Sequence, residues 1–210
     1  MKNILVLQHI AIEDPGYLKD LMEADGCNLV QIELDVGESI PPDLSAFDAM
    51  LCMGGPMDTW MESEYPWLIE EKRRIHEWVV TMGKPFLGFC LGCQLLGEIL
   101  GGEIAKSDPP EIGVLDINMT PAAKDDSLFA DYPSTIKALQ WHSFEVRGLQ
   151  TNPDVTMLGF KIIPSSNTPC RASSENSLRS VFSMTLSQWA RSCPPFIKTS
   201  GSTMGTRSCS

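Results

Sequence analysis

The sequence predicts an α/β fold in which an open, mainly parallel sheet is covered by helices on both faces. Three observations predict it. Short apolar runs of strand length alternate with segments of helical period, and Gly or Pro separates many of them. The chain has 210 residues, of which 43% are hydrophobic, enough for one buried core. No apolar run reaches about 18 residues and the N-terminus turns polar early, so we expect neither a membrane-spanning helix nor a signal peptide.

The elements follow one another along the first 160 residues. Short apolar runs, typical of strands buried on both faces of a parallel sheet, lie at 4–7, 28–34, 49–53 and 86–88. Segments of helical period, most of them closed by glycine, lie at 17–25, 67–82 and 91–100. Two further strands are predicted at 113–119 and 136–141. Strands that alternate with helices in this way favour parallel pairing.

The charge of the chain changes abruptly near residue 160. The net charge of the chain is −11. Residues 1–160 carry 26 acidic and 10 basic side chains, whereas residues 161–210 carry one acidic and six basic side chains. The acidic balance argues against binding to nucleic acid or to an anionic membrane. The last segment also contains 18 Ser and Thr residues. We therefore predict one domain over 1–160 and an atypical, basic, poorly ordered tail over 161–210.

The sharpest local feature is a strand, a turn and a helix over residues 85–97, with Cys90 at the apex. Flanking glycines allow a tight turn that exposes one side chain, the geometry of a nucleophile elbow. A thiol at a helix N-terminus is also favoured as thiolate. The alternatives are a buried structural cysteine and, with Cys93, a zinc or redox pair. Because no second such pair accompanies them, we predict no metal and no cofactor.

A second feature is Met53-Gly54-Gly55-Pro56, at the end of a predicted strand. Backbone N–H groups there can point into a cleft and stabilise an oxyanion, although Gly-Gly-Pro alone indicates only a turn. Of the three histidines, His76 is predicted to be solvated. His9 is predicted to lie in a loop at the same sheet edge, with a place in the wall of the cleft as the alternative.

Four segments occur in the order and spacing of the class I (triad) glutamine amidotransferases. They are 53–56, 88–96, 111–113 and 140–146. The resemblance covers residues 2–158 and is closest to small stand-alone members similar to the amidotransferase domain of GMP synthase and to the gamma-glutamyl peptidases. It implies a three-layer, flavodoxin-like fold and a glutamine amidotransferase-like domain over 1–160.

The resemblance also implies residue roles. Cys90 would attack the side-chain amide carbon of glutamine, forming a gamma-glutamyl thioester and releasing ammonia. The N–H groups of Gly55 and Leu91 would form the oxyanion hole. The substrate would be held by Gly54, Gln94, His142, Ser143 and Phe144. Most family members carry Asp at the position of Phe144. The implied ligand is glutamine or a gamma-glutamyl small molecule, the implied partner is a separate ammonia-accepting synthetase, and the implied location is cytoplasmic.

Two members of the family's catalytic triad, the histidine base and the carboxylate that orients it, have no counterpart in this sequence. The family supplies a base and its orienting carboxylate from a late segment, but no histidine follows His142. The nearest counterpart, residues 181–186, carries Ser183 and Thr185 at those positions, and neither is a base. We therefore expect impaired catalysis and hypothesise that the tail is read in a shifted frame. A gamma-glutamyl peptidase or hydrolase, or an inactive paralogue that binds a ligand or partner, are the alternatives.

Overall fold

The first of two sheets is parallel and carries the four predicted strands. The computed structural model describes residues 1–161 and the backbone of 179–181. The strand order is β2-β1-β3-β4. The strands are β1 (Lys2–Gln8), β2 (Cys27–Glu33), β3 (Ala49–Cys52) and β4 (Phe86–Gly88). Each starts and ends close to the predicted bounds, because continuous apolar runs mark buried parallel strands strongly.

Three helices pack against this sheet, as predicted. They are α1 (Tyr17–Ala24), α2 (Trp67–His76), which continues as a π-helical turn (Glu77–Thr81), and α3 (Leu91–Ile99). The predicted apolar stripe of α2 is buried at Leu68 and Ile75. The expectation that Glu71 and Arg74 lie mostly away from this stripe is wrong, because both are buried and Glu71 stands three residues after Leu68 and four before Ile75, on the same helix face.

The second sheet is antiparallel, which differs from the expectation for the later strands. Its order is β6-β5-β7-β8. The strands are β5 (Glu103–Met119), β6 (Thr135–Arg147), β7 (Gly159–Lys161) and β8 (Arg179–Val181). The predicted strands at 113–119 and 136–141 lie inside β5 and β6 and pair with each other. Between β5 and β6 there is only a short 3₁₀ turn, not the crossover helix that parallel pairing requires.

The core lies on both faces of the parallel sheet, because successive side chains of a strand point to opposite faces. On one face Leu5, Leu7 and Met50 pack with residues of α2 and α3. On the other face Ile4 and Val6 pack with Met22 of α1. The predicted α/β fold with helices on both faces is thus confirmed for the described residues.

The predictions for the tail lie almost entirely outside the described residues. These are its poor order over 161–210, its shifted frame, and the placement of Ser183 and Thr185. Within the described residues, no helix combines the length and the apolar character needed to cross a membrane.

Candidate active site

Cys90 stands at a sharp turn between β4 and α3. Its φ of 45° makes it the one non-glycine residue with positive φ among those described. Neighbouring glycines permit this turn through close backbone approach. A Cβ on Gly88 would lie 2.6 Å from the carbonyl carbon of Gly92, and one on Gly92 would lie 2.4 Å from the Cys52 oxygen. The geometry is that of a nucleophile elbow, and the thiol is exposed.

The Gly-Gly turn after β3 lies beside this elbow. Phe89 N–H donates to the Cys52 oxygen at 2.9 Å, and Gly92 N–H donates to the Met53 oxygen at 3.2 Å. A Cβ on Gly54 would stand 3.5 Å from Cys90 Cβ. The structure therefore brings together Cys90 and the two segments expected to supply oxyanion donors.

The ionisation of Cys90 differs from the expectation for a helix N-terminus. Although Cys90 is exposed as a residue, the cleft removes water from around its sulfur, and this desolvation raises the pKa of the Cys90 thiol. The nearby Glu13 carboxylate raises it further, whereas the hydrogen bond from Leu91 N–H lowers it. The net pKa lies above the ordinary 9.0, because one backbone donor does not offset desolvation and a like charge. Burial and Cys90 raise the pKa of Cys93 to about 12, so this thiol stays protonated.

A cleft of about 220 Å³ opens over Cys90, and Gln94, His142 and Phe144 also line it. Gln94 is buried and its Nε2 donates to the Phe144 oxygen at 3.2 Å. Cys90 Sγ lies 3.8 Å from the Trp141 oxygen. Gly54, Gly55, Leu91 and Ser143 do not line this cleft, and Ser143 lies on the exposed face of β6. The volume suits an amino-acid-sized ligand, since drug-sized pockets exceed about 300 Å³.

His142 contacts the buried carboxylate of Glu111. Its Nε2 lies 3.0 Å from Gln140 Oε1 and 3.3 Å from Glu111 Oε2, so this nitrogen carries the proton that both oxygens accept. Glu111 also pairs with Lys161 at 3.3 Å. The ring is thereby fixed at the wall of the cleft.

Phe144 makes the neighbouring part of the wall apolar. Its ring meets the ring of Trp60 edge to face, with centroids 5.0 Å apart. At this position the resemblance implies an acidic side chain, so the cleft lacks a carboxylate that the family usually provides.

His9 is the residue whose role sequence reasoning missed: it does lie in a loop directly after β1, as expected, but its burial and its contacts were not predicted. It follows β1 but is completely buried. Its Nδ1 lies 2.8 Å from the Gly54 oxygen and its Nε2 lies 2.8 Å from Glu71 Oε1. The ring stacks on Trp67 at 5.5 Å, and Cys52 Sγ lies 3.3 Å from Glu71 Oε1.

Both ring nitrogens of His9 face oxygen atoms that accept hydrogen bonds, an arrangement that favours the doubly protonated ring. Burial lowers the pKa of His9, but the hydrogen bond and charge of Glu71, the Gly54 carbonyl and the charge of Glu13 together raise it above the ordinary 6.5. His9 and Glu71 thus form a buried ion pair directly beneath the Gly-Gly turn.

A metal-binding site is the alternative interpretation of this cluster, because potential ligand atoms of His9, Cys52 and Glu71 lie within 4.8 Å of one another. Zinc binds nitrogen and oxygen at about 2.0–2.2 Å, so two ligands at a tetrahedral site stand about 3.3 Å apart. The observed 2.8 Å between His9 Nε2 and Glu71 Oε1 is a hydrogen-bond distance. The geometry therefore fits the ion pair better than a metal site.

Comparison with known proteins gives consistent results. The glutamine amidotransferase-like protein YfeJ of Salmonella typhimurium is 31% identical over 138 residues, 64% of this chain and 57% of YfeJ. The glutamine-hydrolyzing GMP synthase subunit of Sulfolobus acidocaldarius is 29% identical over 83% of this chain and 79% of its own length. The crystal structure of a glutamine amidotransferase from Thermotoga maritima superposes with a TM-score of 0.69 and 25% identity, covering 76% of this chain and 67% of the other.

The profile of one protein family matches most of the chain. It is described as glutamine amidotransferase class-I, and it matches residues 18–184, a range that includes the elbow, the Gly-Gly turn and the His142 segment. The chain therefore belongs to the class I glutamine amidotransferase family.

Proposed function

We propose that Cys90 is a nucleophile for glutamine and that the cleft above it binds the substrate. One observation carries the proposal. The thiol is exposed at a strained turn, at the start of α3, and opens into a cleft of amino-acid size. A residue kept in a sparsely populated backbone conformation indicates a functional requirement, because such strain persists only where the surrounding structure imposes it. Membership of the family supports the same role.

The proposed reaction begins when the Cys90 thiolate forms a bond to the side-chain amide carbon of glutamine. The tetrahedral oxyanion collapses and the carbon–nitrogen bond breaks, and the nitrogen takes up one proton from water and leaves as ammonia; this proton balances the one that the Cys90 thiol gave up to solvent. Water then hydrolyses the gamma-glutamyl thioester to glutamate and free thiol. Backbone N–H groups of Gly55 and Leu91 would stabilise the oxyanion, and the Leu91 N–H already hydrogen-bonds the sulfur.

Substrate binding is assigned to residues around the sulfur. Gln94 and the backbone of 142–144 would hold the amino-acid end of glutamine, with Gly54 beside the reacting carbon. Gln94 is fixed by its bond to the Phe144 oxygen. With Phe144 in place of an acid, the substrate ammonium lacks a counter-charge there, so we expect weak binding.

We further propose that turnover is slow because no histidine is placed to deprotonate Cys90. The sequence contains three histidines. His9 is completely buried and paired with Glu71, and His76 is exposed on α2. His142 lines the cleft, and with its proton on Nε2 the other ring nitrogen, Nδ1, is the basic atom. This Nδ1 makes no hydrogen bond to the described residues, and Cys90 Sγ contacts the Trp141 oxygen instead of the ring. The raised pKa of Cys90 leaves little thiolate near neutral pH.

Released ammonia would pass to a separate synthetase, as the similarity to a GMP synthase subunit suggests. We place this chemistry in the cytoplasm, since all four described cysteines are free thiols, which a reducing compartment maintains.

The test separates nucleophilic attack from proton transfer. The purified chain is incubated with glutamine, with a gamma-glutamyl peptide, and with the γ-4-nitrophenyl ester of glutamate, whose leaving group needs no proton. We expect acylation of Cys90 by the ester, detected by peptide mass spectrometry, and very slow release of ammonia from glutamine. Cys90→Ala should abolish both, and Cys93→Ala, further along α3, is the matched control.

Three results would contradict the proposal. Acylation that persists in Cys90→Ala would exclude Cys90 as the nucleophile. Faster release of product from the peptide than from glutamine would favour a peptidase. Binding of glutamine without acylation of Cys90 by any reagent would favour an inactive binding protein.

A further inference from the structure

We propose that His9 is a positioning residue that holds the Gly54–Gly55 peptide in the orientation needed for oxyanion stabilisation, and that Glu71 holds His9. The inference rests on the proposed function, because it concerns a donor of the same site. It adds a buried pair that touches neither substrate nor the reacting sulfur.

The first step is the geometry of the peptide unit. In a trans peptide, the C=O of one residue and the N–H of the next point to opposite sides. His9 Nδ1 donates to the Gly54 oxygen at 2.8 Å, which directs that oxygen toward the buried ring. The Gly55 N–H therefore points away from His9, and the α-carbon of Gly54 lies against Cys90.

The second step is that this peptide needs an external constraint. Two successive glycines have no side chains to restrict rotation, so this peptide unit rotates more easily than one between other residues. The hydrogen bond from His9 Nδ1 fixes the carbonyl end of the Gly54–Gly55 peptide unit. Contacts at the other end are close, since a Cβ on Gly55 would lie 3.0 Å from His9 Cβ and 3.2 Å from a Leu91 methyl.

The third step is that His9 cannot move. The ring is completely buried, stacks on Trp67 and donates from Nε2 to Glu71 at 2.8 Å. Glu71 belongs to α2, so the helix and the sheet edge are joined through this ring. Cys52 at the end of β3 also lies against the same carboxylate oxygen.

The fourth step concerns the charge. A hydrogen bond from an imidazolium is stronger than one from a neutral ring, and it polarises the peptide that accepts it. Polarisation of the Gly54 carbonyl makes the Gly55 N–H a better donor. The described ionisable groups near His9 are Glu71, the Cys52 thiol beside the same carboxylate and, as a further charge, Glu13.

The experiment compares two reactions of Cys90 in the full chain. Acylation by the γ-4-nitrophenyl ester of glutamate passes through an oxyanion as the sulfur–carbon bond forms and nitrophenolate leaves. Alkylation by iodoacetamide displaces iodide and forms no oxyanion. Both rate constants are proportional to the fraction of Cys90 present as thiolate, so this fraction cancels when their ratio is taken at one pH. It therefore reports the oxyanion site and not the stability or the ionisation of the thiol.

The main variant is His9→Phe with Glu71→Leu, which replaces the pair by apolar side chains and leaves no lone buried charge. We expect the ratio to fall about tenfold or more, since loss of an oxyanion donor costs about 10²–10³ in rate. Glu71→Gln retains the shape and the Nδ1 donor and should lower the ratio severalfold. His76→Gln, on the exposed side of α2, is the matched control and should leave it unchanged.

A ratio within about twofold of the parent, in a double variant that unfolds cooperatively, would overturn the inference alone. If the double variant does not fold, an unchanged ratio in Glu71→Gln has the same meaning. If the parent is alkylated at Cys90 but never acylated, the proposed function fails, and the inference fails with it.

Discussion

Gly92→Ala tests whether close backbone approach holds the elbow in place. The added Cβ would stand 2.4 Å from the Cys52 oxygen, 2.8 Å from Cys52 Sγ and 2.9 Å from the Cys52 carbonyl carbon. Two of these atoms are backbone at the end of a buried parallel strand, so they do not yield by a change of rotamer. The start of α3 must move away from β3 by about 1 Å to restore ordinary contact distances.

The magnitude follows from two opposing effects. Overpacking in a close-packed core costs about 1–3 kcal/mol, whereas Ala is about 1 kcal/mol better than Gly inside a helix. We therefore expect the free energy of unfolding to fall by no more than about 2 kcal/mol. The chemical effect should be larger, because a displacement of about 1 Å at a reacting group costs about 10² in rate. Acylation of Cys90 by the γ-4-nitrophenyl ester should fall accordingly.

The matched control is Gly101→Ala, at the other end of α3. Its φ is +88° and no atom lies within 4 Å of an added Cβ, so Ala there is strained but meets nothing. It should lose about 1 kcal/mol of stability with no change in acylation. Urea unfolding and acylation rates are measured on both variants. A Gly92→Ala chain that acylates like the parent would refute the role assigned to the close approach.

Further predictions concern ionisation, binding and the tail. Alkylation of Cys90 by iodoacetamide should rise with pH through a midpoint above 9, and Glu13→Gln should move that midpoint down, because it removes a like charge; a midpoint near 7 would contradict this. Phe144→Asp should tighten glutamine binding in calorimetry by supplying a counter-charge for the substrate ammonium, and unaltered affinity would remove this residue from the site. The raised pKa of His9 means that its pair stabilises the fold fully below pH 6.5 and loses this effect as pH rises through the folded value. In urea unfolding, the free energy of unfolding of the parent should therefore fall with rising pH relative to that of His9→Phe with Glu71→Leu. Sequencing the gene and its transcript across codons 155–190 should reveal a change of frame, and an unbroken frame would end that hypothesis.

The elbow could be predicted from the sequence because everything that forms it is local. A strand, two glycines around a cysteine and a helix occur within residues 85–97, and the tight contacts join Gly88 to Gly92. The four parallel strands were predictable for a similar reason, since an apolar run buried on both faces needs no knowledge of its neighbours.

The ion pair could not be predicted in this way. His9 and Glu71 are 62 residues apart, and nothing in the sequence indicates that they meet. Glu71 lies three residues after Leu68 and four before Ile75, so the helical period places it on the buried stripe of α2, but a carboxylate is not expected there until its partners, His9 and Cys52, are known. Strand pairing in the second sheet was missed for the same reason, because the partner of β5 depends on a connection whose course the sequence does not indicate.

The site divides the chemistry into two parts that lie in different regions of the chain. The proposed nucleophile, Cys90, and both proposed oxyanion donors, Gly55 and Leu91, lie within residues 1–160, where tertiary contacts fix them. In the proposed mechanism, the proton transfer that generates thiolate would depend on the late segment, where this sequence has no histidine. Raising the pH supplies the thiolate and an activated ester removes the need to protonate the leaving group. A chain that reacts with the ester but not with glutamine would therefore have lost proton transfer while keeping a formed oxyanion site.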